Sequence, residues 1–159
     1  MATAKHPRYV VGFMFNIDRT RVALIRKQRP DWQRGRLNGI GGHIELDETA
    51  WQAMVREFRE ETGYESFESD WEQVAVMSRT TFPPFECRVF RYLSAYTDLG
   101  EVLKSPTDEC VEFCTVELLP PSILSNVGWL IELCLDLNPG DCPCYNIVAH
   151  IGRGQLAAP

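Results

Sequence analysis

Length, composition and the order of secondary-structure signals together predict a mixed α/β domain. First, 159 residues with 45% hydrophobic and 24% charged side chains suit one ordinary globular domain and leave little room for two. Second, β-rich runs meet across short turns, which makes hairpins. Third, only two segments carry good helix signals, so the regular alternation of a doubly wound sheet is absent. Disorder, collagen and coiled coil do not fit this composition, and the chain has no internal repeat, low-complexity tract or linker.

Arg8 to Asn16 (RYVVGFMFN) and Thr20 to Lys27 (TRVALIRK) are joined by Ile17-Asp18-Arg19 and read as a hairpin. Gln28 to Arg36 is polar, holds Pro30 and Gly35, and reads as a loop. Asn38-Gly39-Ile40-Gly41-Gly42 has too much glycine for regular structure. A helix is predicted from Ala50 to Thr62: Thr49 with Gln52 makes a capping box, and Gly63 is a left-handed stop. Strands follow near Glu72–Thr81 and Arg88–Thr97, separated by Pro83-Pro84, and another near Val111–Val116. A second helix, Asn126 to Leu137, has Ser125 as N-cap and ends at Asn138-Pro139-Gly140; Tyr145 to Ile151 reads as a last strand.

The longest apolar stretch, Val127 to Leu137, is interrupted by Glu132 and Asp136 and falls short of the roughly 18 residues of a membrane helix. Met1-Ala-Thr-Ala-Lys-His-Pro7 lacks the apolar core of a signal peptide, so the expected location is cytoplasmic. Six cysteines are too sparse for a disulfide scaffold. Cys110-x3-Cys114 and Cys142-Pro143-Cys144 lack the usual two-residue gap of a zinc site, and idle or buried thiols account for them better. His6, His43 and His150 are scattered, although His43 follows Gly42 directly and could approach phosphate. The net charge of -6 conceals a split: residues 1–36 carry +7 (9 Lys/Arg, 2 Asp/Glu) and residues 37–159 carry -13 (7 Lys/Arg, 20 Asp/Glu). That split suggests anionic substrate groups meeting metal-binding carboxylates, or simply a solvated surface. No helix-turn-helix, RNA-binding aromatic motif or broad basic face is present, so neither a nucleic-acid polymer nor a membrane is expected as partner. Monomer and homodimer both remain open.

The first helix concentrates the chemistry. Glu57, Glu60 and Glu61 fall within one arc of about 100°. Trp51, Val55, Phe58 and Thr62 form a separate arc expected to face the core, and Gln52, Arg56 and Arg59 are expected towards solvent. Ala50 and Ala53 share the carboxylate face one to two turns earlier, leaving room for another segment or a ligand. Three glutamates at this spacing repel by a few tenths of a kcal/mol per pair, and they sit near the helix C-terminus, where the macrodipole disfavours negative charge. A divalent cation reverses that sign, since hard Mg²⁺ takes oxygen ligands. A solvated face neutralised by Arg56 and Arg59 would use the same residues.

From Gly42 the chain reads GHIELDETAWQAMVREFREETGY: Gly42, five residues, Glu48, seven residues, then Arg56-Glu57-Phe58-x-Glu60-Glu61-x-Gly63-Tyr64. This resembles the 23-residue signature of the Nudix (MutT-like) hydrolases, with all seven fixed-identity positions filled. Phe58 meets the family's demand for a bulky apolar residue. Tyr64 stands where an aliphatic is commoner, a departure expected to affect packing and not chemistry. Leu37-Asn38-Gly39-Ile40-Gly41-Gly42 is similar to the family's Gly-Gly approach to this box. The resemblance implies an α/β/α sandwich with a mixed sheet between helices, as one Nudix domain over residues 1–159 with its core at about 8–150.

The resemblance further implies hydrolysis of a nucleoside diphosphate linked to another group, with Mg²⁺ or Mn²⁺ as cofactor. Glu60 and Glu61 would be metal ligands, and Glu57 a third ligand or the group that orients or deprotonates the water. Gly41 or Gly42 could add a backbone carbonyl. Arg56 would hold the cluster in shape, and Glu48 would be structural or an outer ligand. The general base of this fold often lies outside the box, and Glu109 is the candidate, with Asp108 and Glu112 behind it. Arg26, Lys27 and Arg29, followed by Arg34 and Arg36, stand where they could reach phosphate oxygens. Asn38 is similar in position to an Asn that contacts the base in oxidised-purine triphosphatases of the family, and Phe82, Phe85 and Trp129 offer base-stacking surfaces. These residues favour a (d)NTP or oxidised purine dNTP, cleaved to monophosphate and pyrophosphate. ADP-ribose or another nucleotide sugar is the main alternative. A non-catalytic nucleotide-binding or sensor module is the alternative of another class.

Overall fold

A computed structural model describes residues 7–79, 83–136 and 144–148. Strands β1 (Arg8–Phe15) and β2 (Arg21–Arg26) form the expected hairpin, and the side chain of Asn16 builds its turn. Asn16 Oδ1 accepts the N–H groups of Thr20 and Arg21, each at 2.9 Å. The remaining elements are β3 (Leu37–Asn38), α1 (Ala50–Thr62), β4 (Glu72–Arg79), β5 (Phe85–Leu93), β6 (Cys110–Thr115), α2 (Val127–Asp136) and β7 (Tyr145–Val148). The polar loop before β3 adds a short 3-10 turn at Asp31–Gln33. The predicted stop of the second helix and the predicted end of the last strand fall outside the described residues. Among the described residues no helix is long and apolar enough to cross a membrane.

The sheet is mixed. Its strands run in the order β3-β2-β1-β5-β4-β7, with β6 on the other edge of β2. β1 lies parallel to β5 along its whole length but meets β2 only at Met14↔Ala23 and Phe15↔Val22. Beyond those pairs the two strands splay, and the Gly-rich segment fills the opening. Gly12 and Ile40 exchange backbone hydrogen bonds (2.7 and 3.0 Å), and Val10 N–H donates to Gly42 O at 2.9 Å.

Alternation along the strands feeds two cores, the period-2 signature of a sheet covered on both faces. Val11, Phe13, Phe15, Val22 and Leu24 pack with Val127, Leu130 and Ile131 of α2. Val10, Met14, Ala23 and Ile25 pack with Ala53, Met54 and Phe58 of α1. The molecule is the expected α/β/α sandwich.

α1 has the predicted ends. Thr49 Oγ1 accepts the Gln52 N–H at 3.2 Å, Gln52 Oε1 accepts the Thr49 N–H at 2.9 Å, and Gly63 closes the helix at φ 70°. Its orientation differs from the expectation. The buried side is Ala50, Ala53, Met54, Phe58 and Thr62, while Trp51 and Val55 are only half-buried. The two alanines let the helix approach the sheet closely, and a Cβ on Gly12 would lie 2.7 Å from Met54 Sδ and from Trp71. The helix turns towards its small residues, and Glu57 and Glu61 are carried inward with them.

Candidate active site

Glu57 and Glu61 lie under the Gly-rich segment because α1 is rolled in this direction. Gly41 N–H donates to Glu61 Oε2 at 3.1 Å. At Gly42 a Cβ would lie 2.5 Å from Glu57 Oε1, so glycine is present where the carboxylate needs the volume.

Arg56 does not point to solvent. Its guanidinium donates to Glu48 through Nε (3.1 Å) and Nη2 (2.5 Å), to Glu57 Oε1 through Nη1 (2.8 Å) and to the His43 carbonyl (2.9 Å). Glu60 Oε2 lies 3.5 Å from the same Nη1, and Glu60 is otherwise exposed. Such a fork fixes carboxylate orientation as well as charge. The Arg56 hydrogen bonds hold the Glu48 carboxyl below its ordinary range. Burial pushes Glu57 up, against the pull of Arg56.

Lys27 makes a second centre. Its Nζ lies 2.5 Å from Glu109 Oε2 and 3.5 Å from Glu61 Oε1. Glu109 Oε1 accepts the backbone N–H groups of Gln28 (2.7 Å) and Arg29 (3.3 Å). Burial alone would raise the Glu109 pKa, but Lys27 and the Gln28 N–H outweigh it and the carboxyl is held low. Glu61 is pushed up to about 7 by burial, despite Lys27 and the Gly41 N–H, with Glu57 and Glu109 adding repulsion.

Five carboxylates (Glu48, Glu57, Glu60, Glu61 and Glu109) therefore share two cations, Arg56 and Lys27. That uncompensated negative charge, presented by oxygen donors alone, fits a hard divalent cation. Among the described residues no three His, Cys, Asp or Glu converge as a ready ligand set, since these side chains are turned onto the internal cations.

The other residues singled out from the sequence divide sharply. Arg26 binds both oxygens of Glu112 and donates to Gly35 O at 2.6 Å, which keeps it away from the box carboxylates. Arg29 is exposed beside Asp108 (3.3 Å), Arg34 pairs with Asp31 (2.8 Å) and Arg36 donates to the Ile123 carbonyl (2.9 Å). Asn38 is half-buried; its Nδ2 donates to Gln33 Oε1 at 3.2 Å and its Oδ1 accepts the Gly39 N–H at 2.8 Å. Phe85 packs on the α2 side of the sheet and Trp129 lies on α2, opposite the carboxylates. Phe82, Cys142, His6 and His150 lie outside the described residues. His43 is exposed and packs on Tyr9, ring centroids 4.4 Å apart. Tyr64 packs edge-on against Phe58 and its hydroxyl meets those of Tyr92 and Tyr96 (3.4 and 3.3 Å). Among the described residues Cys87, Cys110, Cys114 and Cys144 form no disulfide. Sequence reasoning missed Gln33, which orients Asn38, and the two N–H groups that seat Glu109. Those depend on the loop's path, for which the sequence carries no local signal.

The NUDIX domain family model matches residues 5–129, which span the box, the Gly-rich segment and six of the strands. The chain belongs to the Nudix family. Its class is that of a Nudix pyrophosphohydrolase, and the family generally uses a divalent metal. Nudix structures of similar fold include the MutT protein of Bacillus halodurans (18% identity, 89% of each chain covered, TM-score 0.64). The Escherichia coli ORF135 protein is similar at 22% identity, with 86% of this chain and 94% of that one covered and a TM-score of 0.64. The Nudix domain of Shewanella oneidensis NrtR, solved with ADP-ribose, gives 18% identity, coverage of 85% and 90%, and a TM-score of 0.67. No curated protein matches the chain by sequence.

Proposed function

We propose that this Nudix domain hydrolyses a nucleoside triphosphate, a (d)NTP or an oxidised purine dNTP, to the monophosphate and pyrophosphate with Mg²⁺ or Mn²⁺. The observation that carries the chemistry is the half-buried pair Glu57 and Glu61 beneath the bare backbone of Gly41 and Gly42, within a set of five carboxylates that share only Arg56 and Lys27. Glu57, Glu60 and Glu61 would hold the cation, with a carbonyl of Gly41 or Gly42 as a further oxygen ligand. When bound, the cation neutralises phosphate charge and acidifies the attacking water. Arg56 holds Glu57 and Glu48 in place, Lys27 meets phosphate oxygens, and Glu109 accepts the proton lost by water. Water oxygen bonds to phosphorus, the bridging P–O bond breaks, and pyrophosphate leaves.

Asn38 supports the purine reading. Its amide is held at both ends, by Gly39 N–H and by Gln33, which suits it to a fixed donor–acceptor pattern. ADP-ribose is the second reading, favoured by the similarity to the NrtR domain solved with that ligand. A pure binding module has no need of Glu57, Glu60, Glu61 and Arg56 together, which favours the enzyme. The reading includes a small-molecule nucleotide partner, no nucleic-acid polymer, and a cytoplasmic location.

The test is incubation with Mg²⁺ and a panel of (d)NTPs, oxidised dNTPs, ADP-ribose, dinucleoside polyphosphates and NADH, with product identification. Pyrophosphate from triphosphates is the expected result, and activity confined to ADP-ribose overturns it. Glu61→Gln and Glu60→Gln are expected to lower turnover about a hundredfold or more with the fold retained by circular dichroism. Full Mg²⁺-dependent activity in both variants would remove these residues from the metal site.

A further inference from the structure

Lys27 stands apart from the other basic residues near the site. Arg26, Arg29, Arg34 and Arg36 are bound to Glu112, Asp108, Asp31 and a backbone carbonyl, whereas Lys27 alone of these five touches a carboxylate of the box. Strand parity explains the selection. Val22 and Leu24 face α2 while Ala23 and Ile25 face α1, so the next α1-facing position is Lys27. Its ammonium lies between Glu61 and Glu109, and the three side chains keep only 15%, 12% and 9% of their exposure.

Two carboxylates brought this close with so little water need positive charge between them. Lys27 supplies one charge for the two. A lysine ammonium is a compact point charge on a flexible four-carbon stem, so it can leave without breaking β2. Glu61 and Glu109 each have a backbone seat of their own, the Gly41 N–H for one and the Gln28 N–H for the other, and do not depend on Lys27 for position.

We infer that Lys27 is a tethered counter-ion that competes with the divalent cation for Glu61 and moves to the substrate phosphates when the cation displaces it. This rests on the hydrolase reading above and adds an order of events to it. The cation ejects an ammonium from between two carboxylates, and the polyphosphate gives that ammonium its next partner. Cation and phosphate then assist each other's binding through one side chain, and the assistance is reciprocal.

The experiment is Mn²⁺ titration of nucleotide-free protein by calorimetry and by electron paramagnetic resonance of free Mn²⁺. It compares wild type, Lys27→Gln, Lys27→Met and the charge control Arg34→Gln, which loses one positive charge from the same loop but contacts Asp31. Both Lys27 variants are expected to bind Mn²⁺ on the order of tenfold more tightly than wild type, at the low end of ordinary coupling factors, with Arg34→Gln close to wild type. Thermal melts give a second readout. The Lys27 variants are expected to melt lower than wild type in chelator and to gain more from added Mn²⁺. Unchanged or weaker Mn²⁺ binding in both Lys27 variants overturns the inference, as does an equal gain in Arg34→Gln. If wild type hydrolyses nucleotide with Mg²⁺ but the variants bind no tighter, the hydrolase reading stands and the role of Lys27 falls. If wild type binds no Mn²⁺ at all, both fall.

Discussion

Gly41 and Gly42 are neighbours whose missing side chains protect different things. At Gly41, φ is +156° and a Cβ would be driven into the Val10 carbonyl oxygen, which is backbone and cannot yield. At Gly42 the Cβ would meet the carboxylate end of Glu57, which can swing aside. Gly41→Ala is therefore expected to destabilise by about 1–3 kcal/mol through backbone strain alone. Gly42→Ala is expected to keep its melting temperature within a few degrees and lose roughly 10–100-fold in turnover by misplacing Glu57. Thermal melts and turnover measured on both variants check the contrast, and a stability loss at Gly42 equal to that at Gly41 would refute it. At this scale the sequence was highly legible for the box, because its residues are defined by spacing along one helix. It was less legible for partners brought in from elsewhere. Arg26 and Lys27 are adjacent basic residues, and only the alternation of β2 sends one to Glu112 and the other to Glu61.

Helix ends are local events and were readable; helix orientation is not local. The Thr49–Gln52 box and the left-handed Gly63 fix α1 at both ends as the residue types require. Its roll about its own axis depends on Gly12, which sits on β1 and is remote from the helix in sequence, so periodicity alone placed the buried arc too far towards Trp51 and Val55. The opposite layer has its own long-range dependence. Arg91, on β5 and fully buried, donates to the Cys134 carbonyl near the end of α2 at 2.6 Å and to Glu72 Oε2 on β4 at 2.7 Å. A cation at that end of a helix complements its dipole. Arg91→Met keeps the apolar packing but leaves a helix carbonyl and a carboxylate without this donor. The expected cost is roughly 2–3 kcal/mol in urea unfolding with the slope unchanged. A loss below about 0.5 kcal/mol would mean that Arg91 is not what fastens α2 to the sheet.

Across the whole molecule, the basic first quarter and the acidic remainder meet along one strand pair. β2 runs antiparallel to β6 from Arg21↔Thr115 to Arg26↔Cys110. Beside that pairing Arg26 takes Glu112, Lys27 takes Glu109 and Arg29 takes Asp108. Much of the charge split thus closes the fold and is not a free phosphate-binding face, which composition alone could not distinguish. Around α1 the pairing falls short, because Glu48, Glu57, Glu60, Glu61 and Glu109 share only Arg56 and Lys27. Folding gathers this negative charge at one place, and the unfolded chain disperses it, so a divalent cation that binds there favours the folded state. One site filled at a hundredfold excess over Kd adds about 2.7 kcal/mol. For a domain of this size that raises the melting temperature by roughly 5–10 °C. Melts in Mg²⁺, in chelator and in NaCl of matched ionic strength are expected to show the rise in Mg²⁺ alone. Glu61→Gln is expected to lose most of it while melting close to wild type in chelator, because the substitution removes a repulsive charge and keeps an oxygen for the Gly41 N–H. An equal rise in NaCl would assign the effect to general screening and take the cation away from these glutamates.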